Sequence, residues 1–71
     1  MNLSVVIPVY NSSKIISILT ADIIEEIKKI KKISSYQLIL VNDCSDDNSW
    51  NEILKICSKE VVVTGINLMK N

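Results

Sequence analysis

Two short polar stretches carry the side chains of this chain that could bind a ligand, and each follows directly on an apolar run. The first is Pro8-Val9-Tyr10-Asn11 and the second is Asn42 to Asp47. Within the second, Asp43 is the strongest candidate, because a carboxylate can accept the ring N–H of a pyrimidine or the N–H edge of guanine. Such a group discriminates strongly, since a base without the donor leaves buried polar atoms unpaired. The pattern therefore predicts recognition of a nucleoside base.

Structural interpretations of the same residues stay open. Asp43 could form an Asx-turn that leads into the next helix, and Tyr10 could pack against the protein as well as stack on a base. Residues typical of a helix start end the second stretch and follow it: Ser45, Asp46, Asp47 and Ser49. Two adjacent acids without a third ligand are weak evidence for a metal, so we expect no metal site.

Residues that the chain lacks exclude several kinds of site. It has no His, which removes a His general base, a Ser–His pair and a His-ligated zinc. It has no Arg and a net charge of zero, so we expect no nucleic-acid binding. Gly65 is the only glycine, which excludes a dinucleotide fingerprint and a P-loop.

The expected compartment is the cytoplasm. Cys44 and Cys57 could form a disulfide, but we expect free thiols in a reducing environment because nothing in the sequence marks the chain as secreted. The amino terminus has no basic segment before its apolar run, so we expect no secretory signal. No apolar stretch reaches the roughly 18 residues of a membrane span, although a full-length form could associate with a membrane.

Apolar periodicity indicates a first strand followed by a helix. Leu3–Ile7 is nearly continuous in apolar residues, which is typical of a strand covered on both faces. Pro8 cannot donate to a strand ladder and is expected at the strand end. Asn11-Ser12-Ser13 supplies turn and N-cap residues. Isoleucine and leucine at helical spacing then predict a helix from Lys14 to about Ile33.

The pattern repeats in the second half. Residues 36–41 predict a second strand, Ser49 and Glu52 a capping box at the start of a second helix, and residues 61–64 a third strand closed by Gly65. The order β-α-β-α-β predicts half of a doubly wound, mostly parallel, nucleotide-binding sheet of Rossmann-like α/β class. Carboxyl ends of parallel strands share one edge of the sheet, which would bring the two polar stretches together.

The residue order of the two stretches resembles that of a known family. Val5-Val6-Ile7-Pro8-Val9-Tyr10-Asn11, followed about thirty residues later by Leu40-Val41-Asn42-Asp43-Cys44-Ser45-Asp46-Asp47, resembles the start of the inverting family 2 glycosyltransferases of GT-A fold. Their motifs read V-I-P-x-Y-N and V-D/N-D-G-S-x-D. The tail from Gly65 to Asn71 is similar to the bacterial branch near dolichol-phosphate-mannose synthase, which moves a sugar to a polyprenyl phosphate.

The resemblance implies that residues 1–71 are the N-terminal, nucleoside-binding part of a truncated GT-A domain. The implied donor is a nucleotide-sugar, most often a UDP-sugar, and the implied acceptor is a polyprenyl phosphate or a growing cell-envelope glycan. Asp43 would bind the base. The residues implied to line the pocket are Pro8, Val9, Tyr10 and Asn11, and those implied to shape the loop behind it are Ser45 and Asp47. Ser12 and Cys44 depart from the family's usual Glu and Gly.

The same resemblance implies what this chain lacks. The family's D-x-D motif for a divalent metal (Mg or Mn), its catalytic base and its acceptor site are expected after Asn71. We therefore expect no catalytic residue, no cofactor and no sugar transfer by this chain alone. Without a later strand, Leu3–Ile7 would form an exposed edge, for which we expect homo-oligomerisation. The other interpretations are an inert truncated product and a small non-catalytic α/β module, such as a response-regulator receiver, which needs an acidic pair after the first strand.

Overall fold

Five elements alternate along the chain in a computed structural model, which describes residues 1–44 and 47–68. They are the strand β1 (Asn2–Val9), the helix α1 (Ile16–Lys28), the strand β2 (Ser35–Asp43), the helix α2 (Ser49–Lys59) and the strand β3 (Val63–Leu68). The predicted β-α-β-α-β order is confirmed, and the fold is the expected parallel, Rossmann-like α/β half.

The three strands form one parallel sheet in the order β1-β2-β3. In the register of the sheet, Val9 at the end of β1 lies beside Asn42, and Asn42 lies beside Asn67 of β3. All three strands therefore end at the same edge of the sheet. This edge carries the two polar stretches, as expected for parallel strands.

The core lies between the sheet and the two helices, on one face of the sheet that we call the covered face. Its buried apolar side chains are Val9, Ile16, Ile24, Ile27, Leu38, Leu40, Ile53, Ile56 and Val63. The opposite, open face presents the alternate residues of each strand, among them Val6, Ile39 and Ile66. Val6 is 62% exposed, so the prediction that the first strand is covered on both faces is wrong for the described part of the chain.

Pro8 is the next-to-last residue of β1, paired with Val41, so it lies at the strand end as predicted. The carbonyl of Met1 accepts a hydrogen bond from the amide of Ser34 (2.8 Å). Backbone groups alternate sides along a strand, so the odd-numbered residues of β1 bond to β2 and the even-numbered ones point away from the sheet. A proline at an outward position leaves no ladder bond unmade, which explains why the strand tolerates it.

The first helix is shorter at both ends than its apolar pattern. It begins at Ile16 without a side-chain cap, and it ends at Lys28. After that point Ile30 donates to the carbonyl of Ile27 (3.0 Å) and Ile33 to that of Ile30 (3.3 Å), which are turns. Ile33 still packs on the core. Apolar residues occur at helical spacing beyond the end of α1 because the turns that lead into β2 also bury side chains.

Gly65 lies within β3 and does not end it. A Cβ atom built on Gly65 would lie 2.7 Å from Cγ2 of Ile53 and 3.3 Å from Cζ3 of Trp50. The glycine therefore allows α2 to approach the sheet closely. The third strand starts and ends later than predicted, because the glycine serves packing here and not a turn.

Candidate functional site

The candidate site lies where the chain leaves β1 and β2. Asn11 (φ 47°) and Cys44 (φ 54°) both adopt the left-handed conformation, one shortly after β1 and the other directly after β2. Asparagine adopts this conformation more readily than most residues, whereas for cysteine it is uncommon. Both strands thus turn sharply at the same edge, and Ser12 and Ser13 after the first turn contact Ser49 and Asp47.

A pair of side chains at the start of α2 joins these two turns. The hydroxyl of Ser49 accepts a hydrogen bond from the amide of Ser12 (2.8 Å) and donates one to Oδ1 of Asp47 (2.5 Å). Oδ2 of Asp47 accepts a bond from the amide of Ser13 (3.1 Å). The segment after β1 is therefore held to the start of α2 by two side chains.

These hydrogen bonds affect the pKa of Asp47 and occupy backbone amides of the segment after β1. The hydrogen bond from the Ser49 hydroxyl, with those from the amides of Ser13 and Ser49, lowers the pKa of Asp47 to about 2. The amides of Ser12 and Ser13 are satisfied within the chain. They are not available as donors for a phosphate group.

The predicted capping box does not form. Asn48 is the N-cap of α2 and makes no side-chain cap hydrogen bond. Ser49 is the first helical residue, and its hydroxyl is used for the contacts to Ser12 and Asp47. Glu52 pairs instead with Lys55 (3.3 Å). The N-cap predicted among residues 11–13 does not form either, because Ile15 is the N-cap of α1.

Asp43 is exposed at the end of β2, beside Leu68. Its neighbour Asn42 lies on the covered face and is buried, so the Asp43 side chain lies on the open side of the sheet. An Asx-turn by Asp43 would use the amide of Ser45. Ser45, also proposed to shape the loop, lies outside the described residues. Both interpretations of Asp43 therefore remain.

The other residues of the first stretch are placed differently from one another. Tyr10 is 60% exposed beside the turn, and Asn11 is also exposed. Pro8 is exposed on the open face. Val9, in contrast, has its side chain in the hydrophobic core. Only the backbone of Val9 is left to face a ligand at this edge.

Two residues whose role at this edge the sequence did not predict complete it. Nδ2 of the buried Asn42 donates to Oδ1 of Asn67 (2.9 Å), which joins the ends of β2 and β3. Ser49 is fully buried. The signal for Asn42 was present: an amide at an otherwise apolar position of a strand needs a buried partner.

Other features of the described residues lie elsewhere or are absent. A groove of about 290 Å³ lies between α1 and α2, with Thr20, Ile24 and Ile56 in its lining and none of the candidate residues. Among residues 1–44 and 47–68, no three His, Cys, Asp or Glu side chains form a group that could hold a metal ion. No helix in that part of the chain is long and apolar enough to cross a membrane.

Comparison with known families agrees with the two sequence stretches. The family described as glycosyl transferase family 2 matches residues 4–71, which is nearly the whole chain and includes every candidate residue. No curated protein matches the chain.

Proposed function

Because the chain belongs to glycosyl transferase family 2, we propose that it forms the nucleoside-binding part of a glycosyltransferase that uses a nucleotide-sugar. The proposed donor is a UDP-sugar, and the proposed acceptor is a polyprenyl phosphate or a growing cell-envelope glycan. One observation carries the proposal. The sheet brings Tyr10 and Asn11 to the same edge as Asp43, and the contacts of Ser49 and Asp47 hold the intervening segments in place.

The proposed contacts follow from the exposure of these side chains. The carboxylate of Asp43 accepts the ring N–H of uracil, and it is exposed at the sheet edge. The ring of Tyr10 offers an exposed aromatic face on which a base can stack. Pro8, Val9 and Asn11 complete the pocket, Val9 through its backbone, and Ser45 shapes the loop beside Asp43.

Binding without transfer is the activity that we propose for this chain by itself. The divalent metal that the family is expected to use for transfer is proposed to bind outside the described residues, and no group of three His, Cys, Asp or Glu side chains among residues 1–44 and 47–68 could hold it. No step of the reaction is therefore assigned to them. A cytoplasmic location is proposed as well, and the two free thiols, Cys44 and Cys57, support a reducing compartment.

Titration of the chain with UDP, followed by the backbone amide resonances in NMR spectra, tests the binding proposal. We expect UDP to shift the resonances of Tyr10 and Asp43, and GDP to shift them less. Asp43→Asn should weaken UDP binding about tenfold or more, since hydrogen bonds to a charged group contribute roughly 1.5–3 kcal/mol. Asp22→Asn, an exposed change in α1, is the control. No shift at Asp43 with either nucleotide would refute the proposal.

We further propose self-association through the outer edge of β1. The even-numbered residues Ser4 and Val6 direct unpaired backbone groups outward, and the strand carries no charged side chain to prevent pairing with a second copy. Sedimentation at increasing concentration should show a dimer. Val6→Lys should shift the equilibrium toward the monomer, and Lys14→Ala should not. A strictly monomeric species at high concentration would exclude this contact.

A further inference from the structure

We propose that Ser49 is a positioning residue of the nucleoside site: its buried hydroxyl fixes the segment after β1 against the start of α2. The inference rests on the proposed function, since the segment that it fixes carries Tyr10 and Asn11. Ser49 is distant from that segment in sequence, 37 residues from its partner Ser12. The contact is therefore tertiary, and not a feature of the helix start alone.

The burial of Ser49 makes its hydrogen bonds specific. The residue is 0% exposed, so its hydroxyl cannot exchange these partners for water. It accepts from the amide of Ser12 (2.8 Å) and donates to Oδ1 of Asp47 (2.5 Å). A buried hydroxyl that both donates and accepts allows only a narrow range of positions for its partners. Ser49 thus fixes the distance between Ser12 and Asp47.

Asp47 supplies a second connection beside the first. Its Oδ1 also accepts from the amide of Ser49 (3.0 Å), and its Oδ2 accepts from the amide of Ser13 (3.1 Å). The hydroxyl of Ser12 in turn donates to the carbonyl of Tyr10 (2.9 Å). Ser12 therefore connects Ser49 to the backbone of Tyr10, through its amide on one side and its hydroxyl on the other.

The consequence for binding is one of preorganisation. With Ser49 in place, the backbone around Tyr10 is ordered before a nucleoside arrives. Without the hydroxyl, the amide of Ser12 loses its acceptor, and a ligand would have to order the segment as it binds, which weakens affinity. The loss of one such hydrogen bond corresponds to about fivefold to tenfold in affinity.

Ser49→Ala and Asp47→Asn test the inference from its two sides. Ser49→Ala removes the hydroxyl, and Asp47→Asn keeps the size of an exposed side chain while removing one acceptor oxygen, so this second variant remains informative if the first does not fold. Ser58→Ala is the matched control, because Ser58 lies in α2, is exposed, and donates to the carbonyl of Lys55 (2.7 Å) within the same helix.

Two measurements are made on each variant at a temperature at which all are folded. The first is the affinity for UDP, expected to fall about fivefold to tenfold in both variants and to stay unchanged in Ser58→Ala. The second is amide hydrogen exchange, expected to accelerate at Ser12 in Ser49→Ala and at Ser13 in Asp47→Asn. A general loss of stability would accelerate exchange throughout the core, including the amide of Leu40.

The outcomes separate this inference from the proposed function. If the wild-type chain does not bind UDP but exchange at Ser12 still depends on Ser49, the function fails and the positioning of the segment stands. If UDP binds and Ser49→Ala binds it equally well, the positioning role is refuted and the function stands. Equal rates of amide hydrogen exchange at Ser12 in the wild type and in Ser49→Ala would refute the inference, whether or not the chain binds UDP.

Discussion

The two faces of the sheet differ sharply, although the same three strands build both. On the covered face, Leu38 and Leu40 of the central strand are completely buried. On the open face, Ile39 lies between them in sequence and is partly exposed, and Ile66 of β3 is exposed. Two helices cover one face, and no described element covers the other. The strands nevertheless carry apolar residues on both.

This difference shows what an apolar strand does and does not indicate. Continuous apolar residues are typical of strands in parallel sheets that are buried on both faces. Here the packing energy comes from one face, and the other keeps apolar residues among polar ones, such as Gln37 and Thr64, which share a hydrogen bond (3.3 Å). An exposed apolar sheet face of this kind is a typical surface for association.

The most direct test of the comparison removes the same kind of side chain from each face. Leu40→Ala should lower the free energy of unfolding by about 2–5 kcal/mol, because it leaves a cavity in the core. Ile39→Ala should lower it by less, roughly 1–2 kcal/mol, since that side chain is partly in water and no described element packs over it. Urea unfolding measures both. Equal losses would show that something covers the open face in solution.

A second test adds an atom to the covered face. Gly65→Ala should lower the free energy of unfolding by about 1–3 kcal/mol, because the new methyl group meets Ile53 at a distance that real contacts do not reach. In the background of Ile53→Ala the loss should be smaller, since the opposing Cγ2 atom is gone. A double-mutant cycle of unfolding free energies measures this coupling, and additive effects would contradict the close approach of α2 to the sheet.

A third test concerns the one polar atom in the helix layer that is buried without a partner among the described residues, Oγ1 of Thr20. Thr20 is 2% exposed. Thr20→Val should raise the free energy of unfolding by about 1 kcal/mol, because it removes an unsatisfied hydroxyl at nearly constant shape. Thr64→Val, the same change on the open face, should give no gain. Thermal unfolding of the two variants checks the difference.

The smallest effect is expected at the polar edge where the two faces meet. The pKa of Asp47 is lowered to about 2 in the folded chain, whereas an unperturbed Asp has a pKa of about 3.9. A lowered pKa stabilises the fold above pH 3.9, and this contribution disappears as the pH falls toward 2. Asp47→Asn should therefore flatten the acid limb of stability against pH. An unchanged limb would show that the carboxylate contributes nothing.

The sequence predicted the order of the elements and the parallel sheet, because apolar period and turn residues are local signals. It did not predict the end of α1, since Ile33 packs on the core without being helical. It also assigned Gly65 to a turn, because a sequence does not show that a helix lies against the glycine. Both errors concern contacts between residues that are distant in sequence.

The candidate site, like the fold, could be predicted from the sequence only in part. The two polar stretches were found from their residue types, and the sheet brings them to one edge. The use of Ser49 was not predictable, because a serine at a helix start is typical of a cap. The fold brings the segment after β1 next to the start of α2, and only this places the amide of Ser12 within hydrogen-bond distance of the Ser49 hydroxyl. Whether Asp43 contacts a base remains a prediction.

The strand order also bears on how the chain is made. Each strand pairs with the next strand along the chain, β1 with β2 and β2 with β3. During synthesis, the partner of every newly emerging strand has therefore already left the ribosome, and the sheet can grow one helix–strand unit at a time. Chains emerge at about 5–20 residues per second, slowly compared with the formation of a helix. We expect β1, α1 and β2 to dock before β3 has left the ribosome.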